Sequence, residues 1–209
     1  MVLKDLGALR TFCDELASEQ PSPGGGTASA AAGAVAASLL GMVCAITRKS
    51  KKAEAHWGEL DQLRAALSEL QKELLSLAQE DAQAYDLVVE AFRNRKVKND
   101  EESAKGVETA LKYATEVPSR TADACLMVLK AADRVAETGS KNAYSDVAVA
   151  IYLAKAGLFG ALMNVEINLD GNKDEQYVAK QRHDAQARRC DGEIMSQRAL
   201  SKVGKRGKA

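Results

Sequence analysis

Apolar residues recur at three- and four-residue steps along nearly the whole chain, a spacing that predicts helices rather than strands. Leu3, Leu6, Leu9, Phe12, Cys13 and Leu16 form the first stripe, a short amphipathic helix stopped near Glu19 by Gln20 and Pro21. Pro21-Ser22-Pro23-Gly24-Gly25-Gly26-Thr27 then breaks the pattern, and an uncharged run of mostly Ala, Gly, Ser, Val and Leu follows from Ala28 to Ile46. Consecutive glycines lose the most backbone entropy on ordering, so they belong in a turn or where backbone must lie against a neighbour or ligand. Thr27 or Ser29 can cap the second helix. Its stripe of Gly26, Ala30, Gly33, Ala37 and Gly41 lets another backbone come close.

The longest pattern runs from about Ala53 to Arg93, through Trp57, Leu60, Leu63, Leu67, Leu70, Leu74, Leu77, Asp81, Tyr85, Val88 and Phe92. It predicts one curved helix, broken at most once. Asn94 to Asp100 reads as a basic loop, with Asn99 and Glu102 as a capping pair. A fourth helix covers Asp100 to Ala136 and should kink or split at Pro118, whose ring removes a backbone donor. After a break around Gly139, a fifth helix spans Ala143 to Leu169 and ends at Asp170-Gly171. The sixth opens at Asn172 with Glu175, passes Tyr177 and reaches about Leu200, leaving residues 201–209 as a frayed basic tail. The expected architecture is all-α: one antiparallel bundle of about six helices over residues 1–209.

Composition agrees with this. Aromatics are only 4% of the 209 residues and prolines number three, against many helix formers. Lys+Arg and Asp+Glu balance at 29 each, so no net field draws the chain to nucleic acid. Cys13, Cys44, Cys125 and Cys190 are scattered, and only His56 and His183 could join them, so no zinc spacing exists and a reduced, cytoplasmic setting is expected. Thr27 to Thr47 is long and uncharged enough to span a bilayer, with Arg48, Lys49, Lys51 and Lys52 behind it. Its alanine-, serine- and glycine-rich centre favours a core helix, so no membrane partner is expected.

Three segments put polar residues beside small or apolar ones: Pro23 to Thr27, Asp81-Ala82-Gln83-Ala84-Tyr85-Asp86, and Asn142-Ala143-Tyr144-Ser145-Asp146, with Asn164 and Asn168 further on. Each has a plain structural alternative. The glycines can be only a tight connection, and Asp81 a buried carboxylate hydrogen-bonded to another helix. Asp146 can simply charge the first turn of the fifth helix. The two asparagines can be interhelical links, and Lys49 to Lys52 a solvated helix end.

Taken in order, these segments resemble the formiminotransferase-cyclodeaminase C-terminal domain and the single-domain methenyltetrahydrofolate cyclohydrolases. The proline-glycine turn with its Ala-rich helix resembles that family's opening signature. Asp81 to Asp86 is similar to its Asp-Ala-x-Ala-Tyr/Phe segment, Gly139 to Asp146 to its Gly-Asn-x-Asn-Ala-x-Ser-Asp turn, and Asn164 to Leu169 to its Asn-Val-x-Ile-Asn segment. The chain departs from the family pattern at Arg48 to Ala53, at Ser140 and at Asn94 to Lys96.

The resemblance implies an all-helical homodimer that binds tetrahydrofolate derivatives in a groove bordered by the glycine turn, with no metal and no cofactor beyond the folate substrate. It implies hydrolysis of 5,10-methenyltetrahydrofolate to 10-formyltetrahydrofolate, or cyclisation of 5-formiminotetrahydrofolate with loss of ammonia. Asp81 and Asp146 are the expected catalytic groups, Asp81 as acid/base. Pro23, Gly24, Gly25, Gly26, Thr27, Tyr85, Asn142, Ser145 and Asn164 are the expected substrate contacts, and Lys51, Lys52 or Lys96 would meet the glutamate tail. A folate-binding relative without turnover, or a purely structural helical dimer, are the alternatives from other classes.

Overall fold

The computed structural model describes residues 6–207 and contains, among them, helices and turns but no strand. Six α-helices follow in order: α1 (Gly7–Leu16), α2 (Gly25–Arg48), α3 (Trp57–Lys98), α4 (Glu101–Thr138), α5 (Tyr144–Leu169) and α6 (Glu175–Gly207). Short 3₁₀ turns, Lys51–His56 and Lys141–Ala143, lead into α3 and α5. Leu3, Lys208 and Ala209 lie outside the described residues.

α2, α3, α4 and α5 close a four-helix ring, each packing on the next, and α6 lies in the groove between α4 and α5. The leucines of the long α3 stripe, Leu60, Leu67, Leu74 and Leu77, are all fully buried. The small-residue stripe of α2 works where it meets α4 and α5. A Cβ at Gly33 would lie 2.6 Å from Cys125 Sγ, and one at Gly157 would lie 2.7 Å from the Ser29 carbonyl. α2 and α5 therefore meet nearly backbone to backbone, with the Cys125 sulfur of α4 packed against both glycines.

Several boundaries differ from the sequence expectation. α1 stops at Leu16, and none of its residues is fully buried, with Phe12 and Leu16 of its apolar stripe half-buried. α3 continues unbroken to Lys98, and the expected basic loop from Asn94 shrinks to the junction at Asn99 and Asp100. Asn99 takes the left-handed conformation (φ 51°) and ends α3. The N-cap of α4 is Asp100, whose carboxylate accepts from the Ser103 amide at 2.8 Å while Ser103 Oγ accepts from the Asp100 amide at 3.2 Å. The capping box is thus one residue later than expected, with serine in the usual glutamate position.

Pro118 does not split α4, which runs continuously through it. The missing proline donor frees the carbonyl four residues back, at Ala114. Asn168 of α5 donates its side-chain amide to that carbonyl at 2.6 Å. A tertiary hydrogen bond thus replaces the lost helical one.

α6 is capped two residues later than Asn172, by Asp174, which accepts from the Tyr177 amide at 3.0 Å. It does not fray near residue 201. Val203 is buried, and Lys202 pairs at 3.0 Å with Asp133, a carboxylate buried on α4.

α2 and α5 both end level with Asp81 and Ala114. The α3–α4 hairpin runs on past them as an arm, with α3 extending roughly 25 Å beyond Asp81. Tyr85, Val89 and Phe92 are exposed along one side of that arm.

Candidate functional site: a carboxylate at a glycine helix start

Gly24 is the N-cap of α2 and, having no side chain, supplies no capping oxygen. Neither Thr27 nor Ser29 takes that role, because Ser29 bonds back to the Gly25 carbonyl at 2.7 Å. The oxygen comes from α3 instead. Asp81 Oδ2 accepts from the Thr27 hydroxyl at 2.8 Å, and the Thr27 backbone amide also donates to Asp81. A carboxylate here meets the positive end of the α2 dipole and amides that otherwise lack partners.

The glycines are required by this approach. A Cβ on Gly26 would run into the Asp81 carboxylate, and one on Gly25 would reach 3.4 Å from the Asn164 amide. Pro21 and Ser22 also line the cleft, whereas the expected contact Pro23 does not.

The cleft has a volume of about 210 Å³. Gly24, Gly25 and Gly26 form one wall, Asp81 and Tyr85 a second, and Asn164 and Asn168 a third. Asn164 donates to the Gly160 carbonyl at 2.9 Å, which fixes its amide orientation and leaves its oxygen for another donor. Burial pushes the Asp81 carboxyl above its ordinary value, and the two Thr27 donors pull it partly back. The cleft thus joins a proton-exchanging carboxylate, unblocked backbone amides and side-chain amides in one small recess.

Asn168 is a lining residue that the sequence places among the polar standouts but not in the site. Its signal lay elsewhere, in Pro118, which demands an outside donor for Ala114.

The remaining expected contacts lie elsewhere in the protomer. Gly25 and Thr47 stand at opposite ends of α2, roughly 33 Å apart by helical rise. Thr47, Lys52 and Asn142 line a second cleft of about 680 Å³ at that far end, together with His56, Glu137 and Ser140. The Ser140 amide donates to Thr47 Oγ1 at 2.8 Å, which ties the turn before α5 to the end of α2. Asp146 is in the first turn of α5 and Ser145 is exposed beside it. Lys51 is in the turn before α3, and Lys96 lies near the tip of the arm. A single pocket holding all the expected residues is therefore not formed within one protomer, because α2 and α5 are rigid rods that hold their two ends apart.

An all-helical ring with an acidic side chain at a glycine-opened helix defines a helical-bundle protein with a small-molecule cleft. The formiminotransferase-cyclodeaminase family model matches residues 8–187, and the chain belongs to that family. It is 34% identical over 197 residues to a methenyltetrahydrofolate cyclohydrolase of Methylorubrum extorquens, covering 93% of this chain and 95% of that protein. It is 29% identical over 178 residues to the formimidoyltransferase-cyclodeaminase of Rattus norvegicus, where the match covers 84% of this chain but 33% of that longer protein. The crystal structure of a formiminotetrahydrofolate cyclodeaminase from Thermotoga maritima superposes with a TM-score of 0.87 at 30% identity, over 94% of this chain and 96% of that one.

Proposed function

We propose that the protein is a folate one-carbon enzyme that hydrolyses 5,10-methenyltetrahydrofolate to 10-formyltetrahydrofolate, acting as a homodimer. The observation that carries this is Asp81, a carboxylate with a raised pKa set against the open amide end of α2. The methenyl carbon sits between two nitrogens and is already electrophilic, so positioning and proton transfer are enough and no metal is needed.

Asp81 takes a proton from water as the water oxygen bonds to the methenyl carbon. The tetrahedral adduct then collapses: the bond to N5 breaks, Asp81 returns the proton to N5, and the new hydroxyl releases its proton to solvent as the formyl C=O forms. The net change is one water consumed and one proton released. The Gly25 and Gly26 amides can donate to the developing oxygen charge. Asn164 is suited to the amide-like edge of the pterin, and Tyr85 to its face. Asp146, Asn142, Ser145, Lys51, Lys52 and Lys96 lie too far from Asp81 in the same chain to share these roles within it.

Cyclodeamination of 5-formiminotetrahydrofolate is the second reading, favoured by the close superposition on the Thermotoga cyclodeaminase. It needs the same acid/base at the same carbon, with ammonia as the leaving group. Loss of the methenyl absorbance on adding enzyme tests the first reading, and ammonia release from the formimino compound tests the second. A folded wild type that performs neither reaction, yet binds folate by calorimetry, is a binding protein instead.

A further inference from the structure

We infer that Asn168 determines which ring the Asp81 cleft accepts: with Asn164 it forms a two-acceptor wall that takes a ligand edge bearing two neighbouring N–H donors. In a tetrahydrofolate that edge is N3–H with the 2-amino group. The pterin in this statement rests on the folate reading above; the wall itself does not.

Both amides are held by groups that can only accept. Asn164 donates its NH₂ to the Gly160 carbonyl at 2.9 Å, and Asn168 donates its NH₂ to the Ala114 carbonyl at 2.6 Å. A carbonyl has no proton to offer, so neither amide can turn over without losing its bond. The oxygens are the groups left for a ligand. Among the described residues neither oxygen receives a hydrogen bond, and neither is sealed away; the sealed, unpartnered polar atoms belong to Asn172 and Arg188. Both asparagines line the cleft.

Residues four apart on a helix share a face, so Asn164 and Asn168 stand one above the other on α5. Asn164 bonds within its own helix. Asn168 reaches across to α4 instead, where the Pro118 ring has removed the amide that the Ala114 carbonyl would otherwise receive. Pro118 is buried and does not line the cleft, so its part in the site is played through Asn168.

The cleft is thereby polarised. The glycine wall offers backbone donors, the α5 wall offers acceptors, and apolar Ala84, Val88 and Ala114 also line it. Its volume of about 210 Å³ is below the range of about 300–1,000 Å³ usual for enclosing a whole small ligand, so it takes one flat ring system. An oxo group on the reading edge would set lone pair against lone pair. Asn164 lies against Gly25, next to the contact between Gly26 and Asp81, and Asn168 is one helical turn further on. The 2-amino group is at the end of the pterin far from the reacting carbon. With that carbon at Asp81, N3–H falls to Asn164 and the 2-amino group to Asn168.

Calorimetry with tetrahydrofolate, and with an analogue in which a methyl replaces the 2-amino group, tests this. Wild type should bind the amino compound about 10- to 100-fold more tightly, the effect of leaving one acceptor unpaired. To keep the fold intact, Asn168→Leu is made in a Pro118→Ala background, whose restored N–H serves the Ala114 carbonyl. In that double variant the preference should shrink to within about threefold, while Pro118→Ala alone retains it because the carbonyl has a second lone pair for Asn168. With the corresponding methenyl substrates the loss falls on KM rather than kcat, since this edge is bound alike in ground and transition states.

An equal preference in Pro118→Ala with and without Asn168→Leu overturns the inference, as does a wild type that binds neither compound or does not distinguish them. A preference that depends on Asn168 in a protein without folate turnover retains the acceptor wall and removes only the catalytic reading.

Discussion

The Thr27 hydroxyl donates to Asp81 across 54 positions of sequence, at 2.8 Å, and so fastens the start of α2 to the middle of α3. The same bond tunes the carboxylate, because a donor stabilises its ionised form against the desolvation that opposes it. Thr27→Val removes that donor and raises the Asp81 pKa further. Turnover needs the ionised carboxylate as base, so the acidic limb of the kcat/KM profile moves to higher pH in Thr27→Val and stays in place in Thr27→Ser. A profile unmoved in both variants removes Asp81 as the titrating base.

Asp81→Asn lowers turnover about 10²- to 10⁴-fold, the span associated with a positioned general base. Its effect on stability has the opposite sign. A carboxyl whose folded pKa is raised is held best in its neutral form, so its contribution is complete below the unfolded value and fades as pH rises through the folded one. The neutral amide avoids that loss, and thermal unfolding at pH 7 should show a Tm equal to or above wild type. A lower Tm together with lost activity would mean that Asp81 serves chiefly as a structural cap.

Gly26 and Gly25 separate close approach from conformational freedom. Gly26→Ala drives a methyl into the Asp81 carboxylate and displaces it, for a loss of about 10²-fold in turnover, as misplacement of a reacting group by an ångström produces. Gly25→Ala brings its methyl only to ordinary contact with Asn164 and should retain most activity. Steady-state kinetics of the two variants should differ by more than tenfold.

Asn168→Leu leaves the Ala114 carbonyl without a donor and destabilises the fold by about 1–3 kcal/mol. Pro118→Ala restores a backbone N–H four residues on, so in that background the same Asn168 change should cost little. Urea unfolding of the four members of this double-mutant cycle measures the coupling; additive effects would show that Pro118 and Asn168 do not share the carbonyl.

Truncation after Leu200 removes Lys202 from the buried Asp133 and exposes the pocket of Val203. Arg198 still pairs with Asp133 at 2.9 Å, which limits the loss to about 2–4 kcal/mol. An unchanged unfolding midpoint would mark residues 201–207 as dispensable to the bundle.

Helix number and order, and the bounds of α4 and α5 to within two residues, were legible in the chain because they depend on local spacing, on prolines and on glycines. Leu60 to Leu77 points its leucines inward in the order their spacing requires. Errors gathered where one helix supplies what another lacks. Asp81 caps α2 from outside, so looking for a cap at Thr27 or Ser29 finds none. Asn168 repairs α4 from α5, so the helix continues through Pro118 instead of splitting there. Lys202 holds the end of α6, so a basic stretch that looks frayed is helical.

The sequence by itself determined that this protein is a bundle of about six helices with a glycine-opened second helix and a carboxylate in phase with the third helix's leucines, since periodicity and turn chemistry act over a few residues. Only the tertiary structure decided that Asp81 and the glycines meet while Asn142 and Asp146 stand a helix length away. The reason is that distance along a rigid helix is fixed by rise per residue, but which ends become neighbours is set by how the helices pack.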